Sequence, residues 1–335
     1  MKQIYKKSLL TVVIFLVLLS PIALAWGVWG HQRINRAAVF ALPDSMRTFF
    51  FNHLDFMTQE AAIPDIRKYT IGDKAEPDRH YIDLELFEMD PDSIPRTWEA
   101  AKAKFSEEQL HKNGILPWYI DLMVQKLTDA FKSQRTDQIL FLAADLGHYV
   151  GDATMPLHTT VNHDGQATGQ KGIHAFWESQ LPEMFGSSYH FTVENARYIP
   201  DVNKEIWTLI MSSHRLVDSV LLIEKKLSTD FPQDKIYLTD SNGSVIKNKY
   251  GQAEHTPDYA KAYHDAMHGM VEKQLRIAIG ETASLWYTAW VNAGKPDLTR
   301  LDAAELTKSN KKQLKKQYKL YEKGELWGLK SMDEF

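Results

Sequence analysis

The sequence predicts an all-α, multi-helix domain with one small β-hairpin insertion. Three observations predict it. Apolar residues recur at three-to-four spacing through most of the chain. One stretch, "KIYLTDSNGSVIKNKY" at 235–250, breaks that pattern with two apolar runs around Ser-Asn-Gly. Of 335 residues 44% are apolar, enough to bury a substantial core, and no long low-complexity run or 20-to-50-residue repeat interrupts them. Cysteine is absent, which excludes disulfides, thiolate metal sites, a cysteine nucleophile and a lipid anchor through cysteine.

At the start, Lys2, Lys6 and Lys7 precede the eleven-residue apolar run "LLTVVIFLVLL", then Pro21 and the small-residue site "ALA" at 23–25. Basic, apolar and cleavage regions in that order make a secretory signal. Eleven residues are too few to cross about 30 Å of hydrocarbon as a helix. The mature protein is therefore expected to begin at Trp26 and to be secreted or periplasmic. Its removal takes three lysines and no acid, moving the formal charge from −4 to −7. That excludes a generally basic nucleic-acid surface but not a local positive site.

Helical spacing covers 31–42, 96–105, 116–132, 136–150, 203–227 and 257–292, with Pro117 and Pro257 where a first helical turn tolerates proline. Asn242-Gly243 suits the left-handed turn of a hairpin between the last two of these. One catalytic domain over about 26–300 results. Beyond it, seven lysines between 308 and 323 mark a solvated terminal helix or tail, or an arm for acidic lipid or nucleic acid.

The chemistry concentrates in "HYVGDATMPLH" at 148–158. His148 and Asp152 share a helical face, and Pro156 should end the helix and let His158 return from a loop. His174 and Glu178 form a second such pair, while Asp65, His80 and His31 lie upstream. Imidazole nitrogens and carboxylate oxygens at this spacing are ligands for zinc. Spacing alone decides little, since 190/194, 214/218 and 268/272 repeat it. No third ligand neighbours His190, His214, His264 or His268, so surface or core roles are expected for them. His163 and Asp164 are expected at the rim. Cleavage at Ala25 would also free the α-amino group of Trp26, which can ligate metal when deprotonated.

An N-terminal Trp, a nearby His, an Asp…His pair, His-x3-Asp-x5-His and then His-x3-Glu resemble the zinc-dependent phospholipase C/P1 nuclease superfamily, matching from Trp26 to Glu178. The resemblance implies an all-α fold and three zinc ions. Asp65, His80, His148 and Asp152 would hold one; His158, His174 and Glu178 a second; Trp26, through its amino nitrogen and carbonyl oxygen, and His31 a third, with Asp152 bridging. Six positive charges against three carboxylates suit a phosphate ester. Asp65 would also orient or deprotonate the nucleophile.

Within that superfamily the wording is mixed. The short Trp-to-His gap of "WGVWGH" is nuclease-like, while Glu178 stands where nucleases usually carry Asp. The absence of cysteine and the strings around His148 and His174 look like the phospholipases. Trp29, Ile66 and Pro77 occupy the places of a choline pocket, which speaks against one. For a nuclease, Tyr81 would stack a base and Asp83 would hydrogen-bond it. For a lipase, Trp29, Trp177 and the lysine tail would supply an apolar rim and transient membrane contact. The acidic charge would repel long nucleic acids, so the expectation leans to a phospholipase C-like enzyme on a phospholipid or other small phosphodiester. A single-strand nuclease/3′-nucleotidase is the alternative, and a non-catalytic zinc-binding surface protein the second.

Overall fold

The computed structural model describes residues 26–70, 73–248, 251–301 and 308–323. The expected signal, 1–25, lies outside the described residues. Fifteen α-helices follow in order: α1 (Gly27–Ala41), α2 (Asp44–Asn52), α3 (Leu54–Glu60), α4 (Ile63–Thr70), α5 (Trp98–Lys104), α6 (Glu107–Asn113), α7 (Leu116–Lys132), α8 (Thr136–Thr154), α9 (Ile173–Ala175), α10 (Leu181–Phe185), α11 (Val202–His214), α12 (Val217–Asp230), α13 (Pro257–Ala266), α14 (Met270–Asn292) and α15 (Lys308–Glu322). The fold is all-α, as expected.

α8 is the axis of the domain, packed by α1, α3, α7, α11 and α14. From Leu146 to Thr154 every residue is buried, so this helix needs apolar or internally satisfied side chains all round. That is why its polar residues, His148 and Asp152, have to find partners inside the protein. Proline at 156 and an extended Met155 end it, and a 3-10 turn, Pro156–Thr159, brings His158 back.

α1 crosses α8 at two glycines one helical turn apart. A Cβ on Gly147 would stand 1.8 Å from Asn35 Oδ1, and one on Gly151 would stand 3.0 Å from His31 Nδ1. Asn35 fills the gap at Gly147 by donating to the carbonyls of Ala144 (3.0 Å) and Met57 (3.2 Å). This close approach puts the His31 ring flat on His148, with centroids 3.8 Å apart.

Two expected helices are each broken in two. The 203–227 stretch bends at Arg215–Leu216, and 257–292 breaks at Met267–Gly269, where His268 (φ 50°) and Gly269 (φ 78°) are left-handed. The hairpin is present as isolated antiparallel bridges, Thr239 to Val245 and Lys247 to Ala253, closed by Tyr237 to His255. Its base presents His255 to Phe176, stacked at 3.6 Å behind the Glu178 turn.

The lysine-rich segment is a terminal helix, one of the forms expected of it. α15 is docked on the domain rather than free: Tyr321 is buried, stacks on Phe40 at 5.6 Å, and its hydroxyl accepts from the Val193 amide at 3.1 Å. Arg36 donates to Gln317 (2.8 Å), and the Arg47 guanidinium lies 4.5 Å from the Tyr318 ring centre. The lysines from 311 to 323 face solvent because the two tyrosines occupy the inner stripe. Phe40 is nine residues from His31, about 14 Å along α1.

Candidate metal centre

All eight of the expected His, Asp and Glu ligands converge, drawn from α1, α4, the 77–83 segment, α8, the turn after it, and α9 with its π-helical continuation Phe176–Gln180. They form three buried groups: His31, Asp65 and His148; His80, His148 and Asp152; His158, His174 and Glu178. Within the second, His80 Nδ1 is 2.9 Å from Asp152 Oδ2 and 3.1 Å from His148 Nε2. Within the third, His174 Nε2 is 3.1 Å from Glu178 Oε2 and 3.2 Å from His158 Nε2. His31 Nε2 sits 3.5 Å from Asp152 Oδ1, linking the first group to the second. The Trp26 nitrogen donates to Glu178 Oε2 at 3.0 Å, and its carbonyl already accepts from Gly30 at 3.0 Å.

Outer hydrogen bonds fix where the imidazole protons sit. His148 Nδ1 donates to the Ala61 carbonyl (2.7 Å), His158 Nδ1 to the His80 carbonyl (2.6 Å) and His174 Nδ1 to the His163 carbonyl (3.1 Å). A carbonyl only accepts, so each Nδ1 carries a proton, and in the neutral ring that a metal requires the Nε2 lone pair points inward. Without metal, burial is outweighed by Asp152 and Glu178, which hold His148 and His174 above the ordinary imidazole range. His80 turns its Nε2 to Glu76 at 3.3 Å, which directs its Nδ1 lone pair at Asp152. Lone pairs and carboxylate oxygens therefore face one another at contact distance. Among the described residues, neither Asp152 oxygen, neither His31 nitrogen and not Glu178 Oε1 has a hydrogen-bond partner. Such an arrangement is repulsive without cations and is satisfied by them, so the residues fit a metal cluster.

The electrostatics agree. Burial alone would raise the carboxyl pKa of Asp65, but Lys68, with its Nζ 2.8 Å away, and the surrounding imidazoles outweigh it and hold it below the ordinary range. Asp152 is held well below, burial being overcome chiefly by His148 and His158. Burial, with His148 beside it, lowers His31 to about 3, which keeps it neutral and able to ligate.

Two supports were not legible as ligands. Glu76 is fully buried behind His80; its carboxylate accepts a short hydrogen bond from Tyr149 and faces Arg79 (2.8 Å) and Arg67 (3.4 Å). Against the cost of burial, the His80 and Tyr149 hydrogen bonds bring it to about 2. Its signal was a glutamate four before His80, which spacing alone could not separate from a surface pair. Lys68 beside Asp65 is the other.

The proposed substrate residues divide. Tyr81 is half-buried, its hydroxyl donating to the Lys112 carbonyl at 3.2 Å. Asp83 is 9% exposed, and burial, with Glu85 adding, pushes it up to about 7. Trp177 is a correction: it is fully buried, 5.0 Å from the Trp26 ring, with its N–H on Met267 Sδ at 3.1 Å. Trp29 is another. It packs under the Arg33 guanidinium, 3.7 Å from its ring centre, and fills the space left by Gly186. Both are core because a large apolar ring beside a ligand gains more from burial than from facing water.

The remaining histidines stay outside the three groups. His264 pairs with the Tyr189 hydroxyl (2.8 Å), the His190 amide donates to Glu272 (3.0 Å), and His214 bonds Thr159 (3.1 Å), close to the centre without joining it. Asp164 clasps the loop, accepting from the Gly172 amide at 2.9 Å, and the His163 carbonyl orients His174.

A buried three-group imidazole–carboxylate centre on an all-α scaffold has the donor set of a metal-dependent hydrolase. The chain matches the S1/P1 nuclease family over residues 26–280 and belongs to it. That family makes it a hydrolase of phosphodiester bonds with nucleic acid or a nucleotide as the expected substrate. No individual curated protein matches the chain.

Proposed function

We propose that this protein is an exported, zinc-dependent nuclease and 3′-nucleotidase acting on single-stranded nucleic acid, with three zinc ions. The observation that carries the reading is the side on which the centre opens. His158 (6% exposed) and His174 (5%) are its most accessible ligands, and Asp83 lies close enough to His158 to feel its charge, with Tyr81 two residues before it. The supports of a lipid substrate are elsewhere: Trp29 and Trp177 are core, and α15 docks near the far end of α1 from His31. The residues expected to serve a phospholipid are therefore not at the centre.

Asp65, His80, His148 and Asp152 would hold one ion, His158, His174 and Glu178 a second, and Trp26 with His31 and Asp152 a third. When bound, the ions supply positive charge that polarises the phosphate and acidifies water. Asp65, kept ionised by Lys68, accepts a hydrogen bond from the attacking water and orients it toward phosphorus. Tyr81 stacks the base and Asp83 hydrogen-bonds its edge, fixing the scissile phosphorus–oxygen bond over the centre. The peptide N–H of Trp26 is a donor and cannot ligate; the free amine can, which is why cleavage after Ala25 would complete the third site. The family match beginning at residue 26 supports that boundary.

The test is a substrate panel on zinc-loaded protein beginning at Trp26: single-stranded DNA and RNA, 3′-nucleotides, and phospholipid vesicles of several head groups. Nucleotide or phosphate release, lost in a chain carrying an extra Met before Trp26, is expected. Diacylglycerol release without nucleic-acid hydrolysis would overturn the reading.

A further inference from the structure

The turn at 78–80 sends its side chains to two places. His80 enters the metal centre, while Arg79 faces a separate cleft of about 490 Å³ that the proposed mechanism does not use. Its walls are aromatic: Trp98, Trp118, Tyr119 and His111, with Gln125 at the edge and Leu122, 41% exposed, as a lip. Trp98 is only half-buried, its ring 6.0 Å from Trp118 and 6.3 Å from His111. Among the described residues its indole N–H has no acceptor. An exposed tryptophan in a concave site is costly to hydrate and suited to covering by a flat ring.

α6 touches both this cleft and Tyr81. His111 lines the cleft from one side of the helix and is fixed by Asp78 at 3.1 Å. The next residue, Lys112, accepts the Tyr81 hydroxyl with its carbonyl. A helix is about 10 Å across, a distance that a short oligonucleotide bridges. Glu99 and Asp121 at the mouth are unfavourable to a phosphate inside, so an entering base would leave its phosphate in solvent near Lys102, whose Nζ lies 5.7 Å from the Trp98 ring centre.

We infer that this cleft is a second stacking subsite, which takes a base of the same single strand whose scissile phosphate lies at the metal centre. The inference rests on the nuclease reading and deepens it: a polynucleotide uses both places, whereas a 3′-mononucleotide uses one.

Trp98→Leu in the zinc-loaded protein tests it, since leucine keeps apolar packing without a ring. KM for a single-stranded decamer should rise about fivefold to a hundredfold, the range for losing one stacked base, with 3′-mononucleotide hydrolysis unchanged. Trp98→Phe should restore most of the loss. An unchanged decamer KM, or an equal change on both substrates, overturns the inference. Binding of a phosphorothioate decamer is measured in parallel. If the wild type hydrolyses neither nucleic-acid substrate, the nuclease reading fails, and binding weakened by Trp98→Leu but not by Trp98→Phe still supports the subsite. A decamer that does not bind, or binds both variants equally, overturns it. So does quenching of tryptophan fluorescence by tetramethylammonium with no response to the decamer, because rings beside acids also suit an ammonium ion.

Discussion

His158 Nε2 and His174 Nε2 meet at 3.2 Å, although the opposite nitrogen of each ring donates to a backbone carbonyl. Two lone pairs directed at each other in a buried site call for a cation between them. Glu178 completes the set from a π-helical turn, a local widening that recurs at functional sites.

His174→Ala should therefore lower the zinc content of saturated protein from about three per chain to about two and reduce phosphodiester hydrolysis with it. His264→Ala, which removes a ring bonded to Tyr189, should alter neither. Metal analysis beside a rate assay reads both; zinc lost from the second variant and kept by the first would sink the assignment.

Asp65→Asn removes a charge and keeps the shape. The kcat should fall by more than about a hundredfold, the scale of a lost positioned base. Lys68 would then face a neutral amide in place of the carboxylate 2.8 Å away, leaving net positive charge beside His80 and His148 and weakening metal there, while the His158, His174 and Glu178 group keeps its ion. Unchanged rate and unchanged zinc would remove Asp65 from the centre.

The glycine contacts of α8 give a graded pair. At Gly147 a methyl group has no room beside Asn35, so Gly147→Ala should cost about 1–3 kcal/mol in overpacking, with the Asn35 hydrogen bonds strained as well. At Gly151 the methyl meets His31 Nδ1 at 3.0 Å and Cε1 at 3.1 Å, a misfit that a few tenths of an ångström relieves. Gly151→Ala should thus spare most of the stability and weaken metal binding about tenfold to a hundredfold by displacing His31. Thermal melts and zinc titration separate the two effects.

Asp83 gives a pH dependence. Burial raises its pKa in the fold to about 7, above the ordinary value near 4, so the fold favours the neutral acid. Ionisation then costs stability, and the cost grows as pH rises from about 4 through 7 and stays present above. Asp83→Asn carries no such cost. In metal-free protein, the melting temperature of the variant minus that of the wild type should become more positive between pH 5 and pH 8. An equal difference at both would show that the carboxyl is not held neutral. Metal-free protein is used because bound dications favour the ionised form.

Much of this protein was legible in its sequence because the features are local. Helical period, Pro156 after α8 and the i,i+4 pairs at 148/152 and 174/178 act within a turn or two, and the structure keeps them all. Where a helix breaks is less local: His268 and Gly269 adopt left-handed backbone so that α13 and α14 can each follow the core. Spacing alone did not separate the five histidine pairs; only the tertiary structure shows two of them inside the buried donor groups. His214 and His190 have the same spacing to an acid as the ligands do, yet across the fold the His214 ring meets the Thr159 hydroxyl and the His190 backbone meets Glu272 and Arg276. Burial decided the tryptophans in the same way, sending Trp29 and Trp177 into the core and leaving Trp98 at a cleft. The sequence by itself determined the donor set and the helices that carry it. Only the packing of α1 into the glycines of α8, and of the 77–83 segment against α7 and the turn after α8, set the donors within contact of one another, because separations as long as that from His31 to His148 carry no distance information until the core closes.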